Sequence, residues 1–188
     1  MPPPSADAPF PLAAIVFDRH EDPDTPLRAF VESQRALGLS VAGLLQEHGG
    51  EDDCSRRDVS VYNLTTGKRL PVMQDLGAEA TGCRVDPAAI ATAARQLADA
   101  VAALPDLIVV SRFGRLESEG GGMIAEIAEA VVEGVPLIVC VPLRFLDAWS
   151  AFAGGLDAHL APRRDAIEAW WAAVAPSVGR VTRSRAFV

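Results

Sequence analysis

Residues 109–122 read VVSRFGRLESEGGG, and this stretch joins an apolar run to a polar, glycine-rich one. After its first residue the run DLIVV (106–110) is continuously apolar, which is typical of a strand that is buried on both faces of a parallel sheet. Ser111 and Arg112 end this strand, and three glycines begin a helix that we predict over 120–133. A strand that delivers polar residues to a loop and then a helix is the repeating unit of an α/β fold.

The rest of the chain repeats this alternation of apolar runs and helical patterns. Two alternating segments joined by the turn TTGK also predict a β-hairpin over 58–64 and 69–73. The further predicted strands are 12–17, 39–46 and 135–141, and the further predicted helices are 26–37, 87–103, 143–153 and 163–174. We therefore predict a three-layer α/β fold, in which a mostly parallel sheet has crossover helices and a β-hairpin insertion.

The bulk composition restricts the function classes. The 188 residues are 49% hydrophobic and 22% charged, as in globular proteins, and suit one domain over 12–176 with a disordered leader (1–11) and a C-terminal tail (177–188). The net charge of −8 argues against a nucleic-acid partner. No apolar run reaches the roughly 18 residues that a membrane span needs, and the N-terminus lacks the pattern of a secretion signal. We expect a cytoplasmic protein without a membrane partner.

Several phrases resemble the small P-loop nucleoside-triphosphatases first known from thermophiles. The similarity covers most of residues 12–141 and includes a helix that ends in Leu-Gly, a glycine-bearing strand, a basic hairpin and the strand end at 111–117. The matching residues are Gly38, Leu39, Val41, Gly43, Arg56, Arg57, Asp58, Thr66, Gly67 and Lys68. The resemblance implies a P-loop NTPase-like, Rossmann-like fold.

Two departures from that family remove its chemistry. A phosphate loop needs glycines, a lysine and a hydroxyl, but residues 18–25 read DRHEDPDT, and four carboxylates there would repel a triphosphate. Thr25 alone remains, and we interpret it as a helix cap. The strand-end acids that hold magnesium in the family are replaced by Ser111 and Arg112. We therefore expect no Mg-ATP cofactor and assign no catalytic or metal-binding residue.

A closer resemblance accounts for these substitutions. The phrases QDLG…GCR-x-DP (74–87), RFG-x-x-E-x-EGGG (112–122) and AFAGGL (151–156) are similar to a bacterial family of domains of unknown function. This DUF2478-like family is related to the thermophile-type P-loop nucleoside-triphosphatases, has degenerate Walker motifs, and is often encoded near molybdate-uptake components. The resemblance implies a link to molybdenum metabolism.

The predicted ligand site lies beyond the carboxyl ends of the strands, where open α/β sheets bind ligands. Asp18, Gln46, Ser111 and Arg112 should meet there, beside a glycine-rich helix start whose N–H groups favour an anion. Arg112 adds a fork of donors that suits a tetrahedral oxyanion. Two structural interpretations stay open: the glycines form only a turn, or Arg112 forms a salt bridge with the acidic loop at 18–24.

A second set of candidate residues precedes the helix predicted at 87. There an oxyanion such as molybdate would be held by Arg84, the Ser111 hydroxyl and backbone N–H groups, and Cys83 would be a softer ligand. A structural loop explains these residues equally well. Cys54, Cys83 and Cys140 are too few and too scattered for a disulfide framework, and the three histidines show no metal-ligand spacing.

The sequence does not determine the oligomeric state, and a homo-oligomer is one possibility. Three functions remain. The first is a non-catalytic binding or regulatory protein for a small oxyanion, with molybdate as the leading candidate. The second is a divergent nucleotide phosphohydrolase or transferase, with Glu117 or Glu119 as base and Arg112 or Arg115 on the phosphates. The third is a protein-interaction module. The ligand-binding residues of the first are Arg112, Ser111, Gly120, Gly121, Gly122, Arg84, Cys83, Gln74 and Asp18.

Overall fold

The computed structural model describes residues 10–48, 59–73 and 85–185, and their side chains apart from residue 48 and those after 175. The strands are β1 Leu12–Phe17, β2 Val41–His48, β3 Val59–Asn63, β4 Arg69–Pro71, β5 Leu107–Val110, β6 Leu137–Pro142 and β7 Ala158–Leu160. The helices are α1 Asp24–Ala36, α2 Pro87–Ala102, α3 Arg115–Ser118, α4 Ile124–Val132, α5 Leu146–Ala153 and α6 Arg164–Arg185, and a short 3-10 helix spans Leu143–Phe145.

The strands form one seven-stranded sheet in the order β4-β3-β2-β5-β6-β1-β7. The five strands from β2 to β7 in this order run parallel. The hairpin of β3 and β4 extends the sheet antiparallel to β2. Both the mostly parallel α/β fold and the hairpin insertion are confirmed. The parallel arrangement brings the carboxyl ends of β1, β2, β5 and β6 to one edge of the sheet.

Helices cover both faces of the sheet, which gives the predicted three layers. One face packs against α1 and α6, where Phe30 lies edge-on to Trp171 with the ring centroids 6.3 Å apart. The other face packs against α2, α4 and α5. The central strands are buried on both sides: every residue of β5 is buried, as the continuous apolar run DLIVV predicts.

Gly43 allows β2 and β5 to approach each other closely. Its φ is +114°, and a Cβ atom at this position would lie 2.1 Å from the Val109 carbonyl oxygen. No other residue type fits both the dihedral angle and the space. The glycine of the β2 motif is therefore a packing requirement of the sheet.

The helix predicted over 120–133 is wrong at its start. The chain forms α3, then a turn that holds the three glycines, and only then α4, which begins at Ile124. Glycine is a poor helix former, and Gly120 and Gly122 adopt positive φ angles of 83° and 60°. The backbone of the glycines is therefore that of a turn, which was the alternative interpretation of this stretch.

Two further differences concern the end of the chain. β7 was not predicted; it has three residues and pairs with β1 from the edge of the sheet. The last helix continues to Arg185 instead of ending near 174, so the predicted domain boundary at 176 falls inside α6. No helix within the described parts of the chain combines the length and apolar character that a bilayer crossing requires.

Candidate functional site

Arg112 is the centre of the polar cluster at the carboxyl edge of the sheet. Its Nη2 lies 2.9 Å from Asp24 Oδ2, and its Nε donates to Gln46 Oε1 at 3.0 Å. The guanidinium carbon lies 4.7 Å from the centroid of the Phe17 ring, a cation–π contact. One side chain at the end of β5 therefore contacts the end of β1, strand β2 and the first residue of α1. The structure shows the salt bridge with the acidic loop that the sequence left open as an alternative.

The Arg112 side chain is only 25% exposed, and that of Asp24 is 17% exposed. A charge-assisted pair at this depth is stronger than a surface ion pair, and loss of either partner leaves a half-buried charge. Within the described part of the chain, Arg112 Nη1 is buried and has no hydrogen-bond acceptor. One nitrogen of the guanidinium thus retains unused donor capacity next to the salt bridge.

The loop between β1 and α1 carries its own acceptor for the start of the helix. Asp22 Oδ1 accepts the N–H groups of Asp24 at 2.9 Å and of Thr25 at 3.2 Å, and Asp22 Oδ2 accepts the Thr25 hydroxyl at 2.5 Å. Partial desolvation of this largely exposed carboxylate is the largest single influence, and it raises the pKa of Asp22. The hydrogen bonds from Thr25 and Asp24, with the nearby charge of Arg112, outweigh it and lower the pKa below its ordinary value.

Thr25 is therefore not the helix cap that we expected. α1 begins at Asp24, so Thr25 lies in its first turn and donates to the residue that does the capping. The sequence carried a signal for this: Asp22-Pro23 repeats the Asp86-Pro87 pattern, and there Asp86 accepts Ala88 N–H as predicted.

Asp18 follows β1 directly but is engaged within its own loop. Its N–H donates to Glu21 Oε2 at 2.7 Å, and its Oδ1 accepts the N–H of Arg19 at 2.6 Å. The neighbouring His20 is exposed and accepts from Arg19 Nε at 2.9 Å. The structure thus places Asp18 at the predicted edge of the sheet, and its role toward a ligand stays a prediction.

Ser111 lies next to Gln46, as predicted, but is only 2% exposed. Its Oγ accepts the backbone N–H of Gln46, and its own N–H donates to Leu44 O at 3.0 Å. These contacts tie the end of β5 to β2. Ser111 therefore has a structural use that the sequence did not reveal.

Glu117 organises the glycine-rich turn. Its side chain is buried, its Oε2 accepts Gly114 N–H at 2.9 Å, and its Oε1 accepts Met123 N–H at 3.0 Å. A Cβ atom at Gly122 would lie 2.0 Å from Glu117 Oε1, so residue 122 must be glycine for the carboxylate to fit. A carboxylate that is buried and bonded in this way is not placed as a general base.

The glycines do not present the free helix-start N–H groups that the anion site assumed. Gly120 N–H donates to Glu117 O at 3.1 Å, and Gly121 N–H donates to Leu116 O at 2.8 Å. Both bonds close the turn itself. Ligand binding by Gly120, Gly121 and Gly122 stays a prediction, but its premise of free donors is not met at the first two.

The remaining predicted residues divide into two groups. Gln74, Cys83 and Arg84 lie outside the described residues. Arg115 and Glu119 lie on the surface, 73% and 57% exposed, where they form an ion pair at 2.7 Å along α3. No three metal-ligating side chains lie together in the described ranges.

Comparison with known proteins places these observations in a family. The model of the family described as "Protein of unknown function (DUF2478)" matches residues 12–170. A protein of Bradyrhizobium diazoefficiens, "Molybdenum import ATP-binding protein ModC 2", is 33% identical over 160 residues, which are 85% of this chain and 18% of that protein. This chain thus spans less than a fifth of that relative.

A solved structure shows the fold. The solution structure of a human cancer-related nucleoside triphosphatase superposes with a TM-score of 0.60 at 16% identity, and covers 80% of this chain and 87% of its own. The fold described here is therefore similar to that of this nucleoside triphosphatase.

Proposed function

We propose a function from the premise that this chain belongs to the family described as "Protein of unknown function (DUF2478)". It is a non-catalytic, small-ligand-binding or regulatory protein on a P-loop NTPase-like scaffold. Its ligand is an oxyanion, with molybdate as the first candidate, and its role is in molybdenum metabolism.

The observation that carries the non-catalytic part is the hydrogen bonding of Asp22. In a phosphate loop, backbone N–H groups and a Ser or Thr hydroxyl at the start of the helix serve the phosphates and magnesium. In this chain the N–H groups of Asp24 and Thr25 and the Thr25 hydroxyl all donate to the Asp22 carboxylate. A bound triphosphate would have to displace a carboxylate that belongs to the protein and would meet its negative charge.

The cation of the site also differs from that of a hydrolase. A P-loop lysine contacts the β- and γ-phosphates of the nucleotide, whereas Arg112 is held between Asp24 and Gln46. Its buried Nη1 supports an anion-binding role, because a guanidinium donor at low exposure favours a negatively charged acceptor. A single contact of this kind suits a small oxyanion better than a nucleotide.

Molybdate is the first candidate because of the relative. The protein that is 33% identical to this chain over 85% of its length bears the name of a molybdenum import ATP-binding protein. Since the aligned part is only 18% of that protein, we carry over the link to molybdenum and not the transport activity. Arg84 and Cys83 complete the proposed set of ligand-binding residues.

Calorimetric titration with molybdate, tungstate, sulfate and Mg-ATP tests the proposal. We expect saturable molybdate binding that Arg112→Ala weakens by about tenfold or more, as for the loss of a charge-assisted hydrogen bond. Arg163→Ala is the matched control, because it removes the same charge from an exposed pair with Asp165. Arg84→Ala examines the second set of candidate residues, and circular dichroism checks that each variant is folded.

Other outcomes would replace the proposal. Binding of Mg-ATP with release of phosphate, and none of molybdate, would favour a divergent nucleotide phosphohydrolase. No heat with any of the four compounds would favour a protein-interaction module. If the wild type, Arg112→Ala and Arg84→Ala all bound molybdate equally, the oxyanion ligand would be retained but the proposed site would be overturned.

A further inference from the structure

A buried carboxylate outside the candidate site lies in the segment that joins α5 to β7. The Asp157 side chain is only 3% exposed. Its Oδ2 accepts the indole N–H of Trp149 at 2.6 Å and lies 3.1 Å from His159 Nε2. The His159 side chain is 47% exposed, so one end of this small network is at the protein surface.

The indole connects Asp157 to the strand end that carries Arg112. Trp149 is fully buried, and its ring lies edge-on to Phe113, with the centroids 5.3 Å apart and an interplanar angle of 83°. Phe113 is 1% exposed, and its N–H donates to Cys140 O at 2.8 Å. Edge-to-face aromatic pairs have a preferred geometry, so the orientation of the indole constrains the Phe113 ring.

Phe113 lies between the two backbone positions that shape the site. Arg112 precedes it and bonds Gln46 and Asp24, and Gly114 follows it and donates its N–H to Glu117. A displacement of the Phe113 backbone would alter the backbone of both neighbours, because consecutive residues share a peptide plane.

We propose that Asp157 is a positioning residue. Through the Trp149 indole and the Phe113 ring it fixes the 111–114 segment and therefore Arg112. The exposed His159 connects this network to the protein surface. The inference rests on the proposed function only in treating Arg112 as the ligand-binding residue. Removal of the Asp157 acceptor leaves a buried indole N–H without a partner, which favours reorientation of the ring.

Amide hydrogen exchange and the Arg112 Nε–H resonance, both measured by NMR without any ligand, test the proposal. We expect Asp157→Ala to accelerate exchange at Phe113 and Gly114 by about tenfold and to shift the Arg112 Nε–H signal, while the β2 amides keep their rates. Asp157→Asn should restore most of the protection, since its amide oxygen can accept the indole N–H. His159→Gln should affect the same residues less.

Phe30→Leu is the control for a general loss of stability, because Phe30 packs against Trp171 on the opposite face of the sheet. Unchanged exchange at Phe113 and Gly114 in Asp157→Ala would overturn the proposal, and so would acceleration of all core amides in the pattern of Phe30→Leu. If Asp157→Ala does not fold, His159→Gln decides, and a wild-type spectrum for His159→Gln would then overturn the proposal. Absence of molybdate binding would contradict the proposed function and leave these spectra unaffected.

Discussion

The loop after β1 and the segment after β5 use the same device in different surroundings. Each places a carboxylate on backbone N–H groups: Asp22 serves Asp24 and Thr25, and Glu117 serves Gly114 and Met123. Asp22 is exposed, whereas Glu117 is 7% exposed and enclosed by Gly122.

This difference separates a structural carboxylate from one that an anion can compete with. Water and ions reach Asp22, so its hydrogen bonds are exchangeable, while those of Glu117 hold the turn together in a buried place where an unpaired N–H is costly. Substitutions in the two regions should therefore differ in magnitude and in their response to solvent.

Gly122→Ala should have the largest effect. The new Cβ would lie 2.0 Å from Glu117 Oε1 at a φ of +60°, and we expect the free energy of unfolding to fall by about 3 kcal/mol. Gly120→Ala is the control: its φ is +83° but no atom lies within 4 Å, so only about 1 kcal/mol should be lost. Urea denaturation of both variants measures the difference, and equal losses would show that Glu117 does not depend on the glycine.

Glu117→Gln should have the next largest effect. The amide keeps one acceptor oxygen but turns an NH₂ group toward a backbone N–H, and we expect a loss of about 2 kcal/mol in the free energy of unfolding. Glu119→Gln, at the exposed residue that follows α3, should cost under about 0.5 kcal/mol. A Glu117→Gln variant as stable as Glu119→Gln would contradict the structural role of the buried carboxylate.

Asp22→Ala should have a smaller effect. It removes the acceptor for the first N–H groups of α1, which is worth about 1 kcal/mol in the free energy of unfolding. Added sulfate should recover part of this loss, because an anion can then reach the helix start. Asp22→Asn, which keeps a capping oxygen, is the control, and equal responses of both variants and the wild type to sulfate would count against an exchangeable site.

Lowering the pH should have the smallest effect, a gradual loss of the contribution of Asp22 to the free energy of unfolding. The pKa of Asp22 is lowered below its ordinary value of 3.8, so the folded state favours the charged form. Its stabilisation is fully present above 3.8 and is lost as the pH falls through the lowered pKa. The difference in the free energy of unfolding between wild type and Asp22→Asn, measured at decreasing pH, should shrink below 3.8. A constant difference would mean that the charge of Asp22 contributes nothing.

The sequence predicted most of the fold because the fold depends on local apolar patterns. LAAIVF gives β1 at its predicted bounds, and α2 begins at Pro87 with Asp86 as its cap. The errors have local causes too. Three consecutive glycines were included in the predicted helix over 120–133, although glycine is a poor helix former. The last helix was predicted to end near 174, whereas α6 continues to Arg185. β7 is too short for its pattern to be noticed, because pairing with β1 defines it.

The candidate site was less predictable because its contacts join distant parts of the chain. Arg112 was identified by the replacement of strand-end acids, and its pairing with the acidic loop was one of two open interpretations. Nothing in the local sequence shows that Ser111 is consumed by Gln46, that Glu117 is buried, or that Asp157 supports Trp149. These uses depend on tertiary neighbours 65 residues away in the first case and eight in the last.

The carboxylate of Asp22 has a thermodynamic consequence for the whole domain. A protein that takes its anion from solution gains stability with the logarithm of the anion concentration, by mass action. An acceptor three residues from Thr25 has a fixed local concentration, so its contribution is the same in dilute and in concentrated solution. We therefore expect the contribution of Asp22 to the free energy of unfolding to be independent of the nucleotide concentration around the domain.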